Sequence, residues 1–381
     1  MIDLDQHATT PLGAAARDAM RRVLDEESAL GANPSSVHVR GRRARDHIER
    51  ARAAIAGAVR AMNRELVFTS GGTEAIHLAV GGIASGMEKL AGVWIDPGAH
   101  PALRAAAERA ASSRGGSLES VPCDAGGEPR IDALRAAIER AGGGLVALSW
   151  VQHETGAIGP VRAIADAIRA VGGVLVVDAV QALGKLAIDA PSSGAAAMAF
   201  SAHKIGGPTG VGAAWLSADA RVRTVSGGGG QERGLRAGTE NVLGIVGFGA
   251  AAATLGERLA AMPAIAAKRD RIESAIGSTR GLVVNASERA RVATACHVSI
   301  REIPGEEVVA ALDLEGVCVS SGPACSSGRP GPSASMRALY PEEPWRADCA
   351  VRITLGPETT DEDVARFIDV WSRVTNRFLS E

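Results

Sequence analysis

The chain has 381 residues, 46% of them hydrophobic but only 3% aromatic, with 41 basic against 43 acidic side chains and a formal net charge of −2. That length accommodates two domains around cores of Ala, Val, Leu and Ile. The near-neutral charge offers no electrostatic handle for nucleic acid or a membrane surface. The five cysteines are odd in number and scattered, with no Cys-x-x-Cys pair. This argues against a disulfide framework or a zinc site and for a reducing cytoplasm. The opening Met1-Ile2-Asp3-Leu4-Asp5 lacks the basic start and apolar block of a signal peptide, and no uncharged apolar stretch could span a bilayer. A cytoplasmic globular protein is expected.

In chain order, the basic run Arg40, Arg42, Arg43 and Arg45, followed by Asp46 and Glu49, reads as a solvated helix face. From about residue 50 to 250, short apolar strands alternate with helical patterns, which predicts a mostly parallel sheet with helices on both faces. Glu65 to Thr69 reads as a strand; Ile76, Ala79, Val80 and Ile83 then form one helical stripe. Gly92 to Ile95 and Leu145 to Trp150 are further strands. Val161, Ile164, Ile168 and Val171 mark the helix before a strand that ends at Asp178. Composition shifts at Gly227 to Gly230, and an Ala-rich helix over roughly 241 to 258 carries the chain onward. Ala293 to Ile300 and Val351 to Leu355 read as strands, and Thr360 with Asp363 makes a capping-box start for the last helix, striped by Val364, Phe367, Ile368 and Trp371. The expected fold class is α/β. Residues 14–250 would form a large domain and 251–381 a small α+β domain, with segment 1–13 packed against the latter.

Two strand ends carry the chemistry. Ala197 to Phe200 leads into Ser201-Ala202-His203-Lys204, and Val174 to Val177 leads into Asp178. A lysine amine and a carboxylate at the ends of buried strands are the two protein groups that pyridoxal phosphate chemistry requires. The lysine joins the cofactor covalently, and the aspartate keeps the pyridine nitrogen protonated. Gln181 stands one turn past Asp178. Ser70-Gly71-Gly72-Thr73-Glu74-Ala75, between a strand and a helix, supplies free amides and the Thr73 hydroxyl for a phosphate, which Ser201 and His203 would complete. His100 follows a strand at the ligand-facing end of an open sheet and could stack on a ring. Arg352, a charge within an apolar strand, calls for a fixed anion: a substrate carboxylate or a structural salt bridge. Cys325, in Ser320 to Gly328, sits among small and turn residues, where a thiol is available to react. Cys123, Cys296, Cys318 and Cys349 read as structural.

These strings together resemble the cysteine desulfurases of the NifS and IscS group, within the class V aminotransferase family of fold-type I pyridoxal phosphate enzymes. The resemblance runs nearly end to end. It rests on Asp5-Gln6-His7-Ala8-Thr9-Thr10-Pro11, Asn33-Pro34-Ser35-Ser36-Val37-His38, Ser70 to Ala75, Asp178 to Gln181, Ser201 to Lys204, the run Gly228 to Asn241, the Cys325 segment and Arg352. It implies a large domain with a mostly parallel mixed sheet, a small domain carrying the cysteine loop at about 320–335, and a homodimer with shared sites. It also implies roles for individual residues. Lys204 would hold the cofactor and move the Cα proton. Asp178 would pair with the ring nitrogen and Gln181 with the ring oxygen, while His100 would stack on the ring. Gly72, Thr73, Ser201 and His203 would bind phosphate, as would Thr239 from the partner subunit. Arg352 and Asn33 would hold the carboxylate of L-cysteine. Cys325 would take the sulfur as a persulfide and pass it to an acceptor, such as an iron–sulfur scaffold or a thiolation enzyme. Two positions depart from the family's pattern. His153 replaces an asparagine beside the ring oxygen and is expected to shift the pH optimum, and Ala99 replaces a glutamate before His100. The rival readings are a related lyase or aminotransferase, such as a selenocysteine lyase, and a catalytically weak sulfur-transfer scaffold.

Overall fold

The computed structural model describes residues 1–26, 32–224, 227–322 and 332–380. Its largest element is a seven-stranded sheet in the order β2-β8-β7-β6-β5-β3-β4. The strands are β2 (Leu66–Thr69), β3 (Gly92–Ile95), β4 (Ser117–Ser120), β5 (Gly144–Ser149), β6 (Gly173–Asp178), β7 (Ala197–Ser201) and β8 (Gly212–Leu216). All neighbours are parallel except β8, which runs antiparallel to both β2 and β7.

The central strands are apolar on both faces because both faces are covered, as expected for parallel strands between helical layers. Alternation along β5 assigns the faces. Val146 and Leu148 join Leu175, Val177, Met198 and Phe200 in one core, closed by helices Val39–Ala58, Val161–Arg169 and Val242–Ala253. Leu145 and Ala147 join Val176, Ala197 and Ala199 in a second core, closed by helices Gly72–Gly86 and Pro101–Arg114. Burying a side chain such as Phe200 contributes roughly 1.5–3 kcal/mol. In helix Val161–Arg169 the buried residues are Val161, Ile164, Ala165 and Ile168, the spacing that the stripe predicted. Edge strand β4 (Ser-Leu-Glu-Ser) is exposed along its whole length and has no apolar alternation, so the sequence reading passed over it.

A third core surrounds the antiparallel sheet β12-β10-β9, formed by Ala350–Thr354, Ala295–Ile300 and Leu282–Val284. Ile2 and Leu4 belong to this core. Strand β1 (Ile2–Asp3) pairs in parallel with β11 (Val317–Cys318), and the Thr354 amide donates to Leu4 O at 2.7 Å. The last helix, Asp361–Ser380, starts with the expected box: the Asp363 amide donates to Thr360 Oγ1 at 3.0 Å, and the Thr360 amide to Asp363 Oδ2 at 2.9 Å. The arginines at 40, 42, 43 and 45 are exposed on helix Val39–Ala58. Among the described residues no helix is long and apolar enough to cross a membrane.

Candidate active site

Strands β5, β6 and β7 are parallel, so their C-terminal ends share one edge of the sheet. β2 ends there too, since it and β7 are both antiparallel to β8. Ligands in open α/β sheets bind outside such an edge. A cavity of about 330 Å3 lies there, lined by Gly72, Thr73, His100, His153, Asp178, Gln181, Ser201, His203, Lys204 and Arg352, together with His7, Ala8, Thr9 and Ser149.

The N-terminal segment crosses this edge and fixes the lysine. Lys204 Nζ donates to His7 O at 2.6 Å and to Ala8 O at 2.8 Å, while Thr10 Oγ1 donates to Lys204 O at 3.1 Å. Asp178, at the end of β6, accepts the Val180 amide at 3.0 Å. Burial pushes its carboxyl up to about 6, a rise that the Val180 amide and Lys204 oppose. Gln181 Nε2 donates to His7 O at 3.0 Å, and Gln181 Oε1 accepts from Lys185 Nζ at 2.8 Å. Lys185 is buried, and burial, then Arg258, Lys204 and Arg352, hold its amine well below the ordinary lysine value.

Four imidazoles line the cavity. His100 caps helix Pro101–Arg114 by accepting the Ala102 amide on Nδ1 at 3.1 Å, and its ring meets that of His153 edge-on, with centroids 5.1 Å apart at 77°. His203 Nδ1 lies 3.1 Å from Thr9 Oγ1, and His7 Nε2 lies 2.8 Å from Thr294 Oγ1. Burial, then Lys204, pushes His100 and His203 down to about 4, and burial holds His7 and His153 well below the usual value. All four are therefore neutral near pH 7. Burial, then His100, Arg352 and Lys204, holds the His153 imidazole in its neutral form.

Opposite Asp178, the wall comes from elsewhere in the chain. Arg352, on β12, is 2% exposed. Its Nη2 donates to Asp5 Oδ1 at 2.8 Å and its Nη1 to His153 O at 3.2 Å, while Nε is buried without a partner. The anion that the sequence demanded for Arg352 is thus present as Asp5, and Nε retains a donor for another. His153 is held by the turn Gln152 to Gly156. Gly156 has φ +75°, and a Cβ there would lie 2.4 Å from Ala295 Cβ, so only glycine lets this turn close on the start of β10.

Two expected site residues stand apart from the cavity. Asn33 is exposed, its Oδ1 accepting the Ser35 amide at 2.9 Å, and Thr239 is exposed beyond the glycine-rich run. Neither lines the cavity, because both lie on surface segments outside this sheet edge. Cys325 lies outside the described residues. The four described cysteines are not activated: burial raises Cys123 to about 12, Cys296 well above its ordinary value, and Cys318 and Cys349 upward. His7, Lys185, Glu154 and Asp5 were not singled out as site residues from the sequence. His7 and Asp5 were at hand inside the Asp5-to-Pro11 string, but only the tertiary structure gives them their partners.

The class-V aminotransferase family model matches residues 2–367. The chain belongs to the class-V aminotransferase family. A cysteine desulfurase from Bradyrhizobium diazoefficiens is 36% identical over 379 residues, covering 98% of this chain and 95% of that protein. The protein named cysteine desulfurase IscS 1 from Archaeoglobus fulgidus is 34% identical over 383 residues, covering 99% and 97%. Among solved structures, a NifS-like protein superposes with a TM-score of 0.89 at 27% identity over the whole of both chains. A structure titled SspA in complex with cysteine gives 0.79 at 26% identity, covering 94% of this chain and all of that one.

This class-V aminotransferase is accordingly a pyridoxal phosphate-dependent enzyme of the α/β, fold-type I architecture. The cavity suits that cofactor. Helix Gly72–Gly86 makes its first turn bond from the Ala75 amide to Gly71 O, which leaves the Gly72 and Thr73 amides without intrahelical acceptors. A Cβ on Gly72 would lie 3.2 Å from Ser201 Cβ and 3.0 Å from Val180 Cγ2, so the glycine keeps this corner open to an anion. An amine, a buried carboxyl and an amide, those of Lys204, Asp178 and Gln181, face the same space.

Proposed function

We propose that this chain is a cysteine desulfurase that converts L-cysteine to L-alanine and receives the sulfur as a persulfide on Cys325. The reading is carried by one arrangement: Lys204 and Asp178 at adjacent strand ends face a cavity whose other wall presents Arg352. Pyridoxal 5'-phosphate, when bound, supplies a ring that stores the electron pair released from the substrate's Cα–H bond.

The chain's own residues do the rest. Gly72 and Thr73 amides, with the Ser201 hydroxyl and His203, would hold the phosphate. Lys204 Nζ, already lodged on His7 O and Ala8 O, holds the cofactor and then carries the proton from the substrate's Cα. Asp178 would keep the ring nitrogen protonated, Gln181 and His153 would serve the ring oxygen, and His100 would stack on the ring. Arg352, through its unpartnered Nε and the arm it shares with Asp5, receives the substrate carboxylate. Cys325 attacks the substrate sulfur. The Cβ–S bond breaks with its electrons left on carbon, which takes a proton to become the methyl of alanine, and the Cys325 S–S bond forms. One thiol and L-cysteine enter; alanine and one persulfide leave.

Thr239 lies away from the cavity within one chain, which supports a homodimer in which it would reach the partner's phosphate site; Asn33 would join Arg352 at the substrate carboxylate. We assign residues 14–250 to a large domain and 251–381 to a small one. The acceptor of the sulfur would be a protein, an iron–sulfur scaffold or a thiolation enzyme, and the compartment the cytoplasm. Incubation with L-cysteine followed by mass spectrometry tests the reading. Alanine and one extra sulfur on the peptide bearing Cys325 are expected. Alanine from a Cys325→Ser variant at the wild-type rate would instead indicate a lyase without a sulfur-accepting thiol.

A further inference from the structure

The N-terminal segment decides which ring nitrogen of His203 carries its hydrogen. Thr9 Oγ1 donates to Ala8 O at 2.7 Å, so its one hydrogen is committed and the oxygen meets His203 Nδ1, at 3.1 Å, as an acceptor. Nδ1 is then the donor, which places the N–H of the neutral ring there and leaves Nε2 as a bare lone pair. Cofactor binding strengthens this direction. Once Lys204 Nζ is committed to the cofactor, Ala8 O gives up its 2.8 Å bond from that amine, and the Thr9 hydroxyl is its remaining described donor.

That tautomer is the wrong one for a phosphate. His203 lines the cavity together with Gly72, Thr73 and Ser201, and among the described residues no protein group bonds its Nε2. The Gly72 and Thr73 amides and the two hydroxyls can each donate to an anion. A bare Nε2 cannot, because it would set its lone pair against those of a phosphate oxygen. Only a proton between them makes the contact attractive. A ring protonated at both nitrogens keeps Thr9 as its acceptor and gains a charge-assisted bond.

We propose that His203 receives the phosphate as an imidazolium, so that the site takes up its cofactor together with one proton. This rests on the reading that His203 is among the partners of the phosphate. The one bond formed in the step is Nε2–H. Its proton comes from solvent where the phosphate arrives as a dianion, and from the phosphate itself where it arrives as a monoanion.

Burial, then Lys204 and Lys185, pushes the His203 ring down to about 4, so it is neutral near pH 7 before the anion binds. The other titratable groups on the cavity are the imidazoles of His7, His100 and His153, held neutral, the Arg352 guanidinium, and Asp178, its one carboxylate among the described residues. A phosphate dianion on Nε2 reverses the bias that burial and the two lysines impose and favours the imidazolium. A phosphate monoester loses its second proton near about pH 6. Above that pH the free partners carry no shared proton and the complex holds one. Binding then consumes a proton, and the affinity falls as the pH rises, by about tenfold per unit.

Full-chain wild type, Thr9→Val and His203→Asn test this. Nitrogen NMR of holoenzyme labelled in its histidines reads the ring directly. The His203 signals, assigned by their loss in His203→Asn, should show both nitrogens protonated at about pH 7.5. Calorimetric titration of the apoprotein with pyridoxal 5'-phosphate, repeated in buffers of different ionisation enthalpy, counts the protons. The difference between wild type and a variant cancels those moved at Lys204 and Asp178. Wild type should take up about one proton more than His203→Asn at that pH, and from about pH 6.5 to 8 its affinity should fall more steeply by about tenfold per unit. Thr9→Val keeps the volume but removes the acceptor from Nδ1, which frees a neutral ring to carry its hydrogen on Nε2. Its proton uptake should therefore drop below that of wild type, and its pH dependence should flatten. A loaded wild-type ring that is neutral with its hydrogen on Nε2, or equal uptake in wild type and His203→Asn, overturns the proposal while leaving His203 on the phosphate. An affinity that His203→Asn leaves unchanged at every pH removes His203 from the phosphate, and the proposal falls with that part of the reading.

Discussion

The two walls of the cavity are built by different means. On the Asp178 and Lys204 side, the functional groups stand at the ends of neighbouring parallel strands, and backbone atoms meet them: the Val180 amide for Asp178, and His7 O and Ala8 O for Lys204. On the Arg352 side, the groups come from a turn and a separate antiparallel sheet. There His153 Nε2, Glu154 Oε2, His297 Nε2 and Arg352 Nε are all buried without partners. A buried polar atom left unpaired costs roughly 1–3 kcal/mol. On the first wall only Ser149 Oγ and His7 Nδ1 are so placed among the described residues, so folding completes most of it, whereas the other holds more donors and acceptors that a ligand or a small rearrangement can satisfy. Strand ends position Lys204 and Asp178, and the junction between sheets positions Arg352 and His153.

Lys185 gives the largest expected effect that can break this contrast. Its buried amine, held 2.8 Å from Gln181 Oε1, orients the amide so that Nε2 turns toward His7 O and the cavity. Lys185→Met fills the volume but removes the donor, so we expect the apoprotein to bind pyridoxal phosphate about tenfold more weakly, in line with one lost buried hydrogen bond. Titration of the apoprotein with cofactor, followed by absorbance, reads this directly. Unchanged affinity would mean that the Asp178 wall has slack that the structure does not show.

A smaller effect is expected on the opposite wall from His153→Asn. The neutral imidazole touches Glu154 and His100 but does not titrate near neutrality. Burial pushes the Glu154 carboxyl beside it up to about 7, so loss of the ring should lower kcat by about threefold and displace that carboxyl's inflection in the rate by less than about one unit. An absorbance spectrum and pH–rate profile identical to wild type would show that this departure from the family's asparagine is silent.

The Asp178 wall was largely legible in the sequence. Apolar runs that end abruptly in Asp178 and in Ser201 to Lys204 announce strand ends, and strand ends in parallel sheets share an edge. Arg352 was legible as a charge in need of an anion, but not its partner Asp5, 347 residues away. The cluster around Glu154, whose Oε1 accepts from Ser333 Oγ at 2.6 Å while the His153 and His297 rings face the carboxylate, was not legible at all. Ser333 is 179 residues from Glu154, and His297 comes from a different sheet, so no spacing or periodicity could have joined them. Lys185 reads as an ordinary loop lysine until its burial is seen. Asn33 and Thr239 carry family strings, yet within one chain they stay at the surface.

The proposed chemistry depends on the amine of Lys204, and borohydride reduction of the purified enzyme followed by peptide mass spectrometry addresses it most directly. We expect the visible absorbance of the cofactor to bleach and one reduced pyridoxal phosphate to appear on the peptide containing Lys204, with none in a Lys204→Ala variant. A label on Lys185 or on any other lysine, with Lys204 unmodified, would contradict the account.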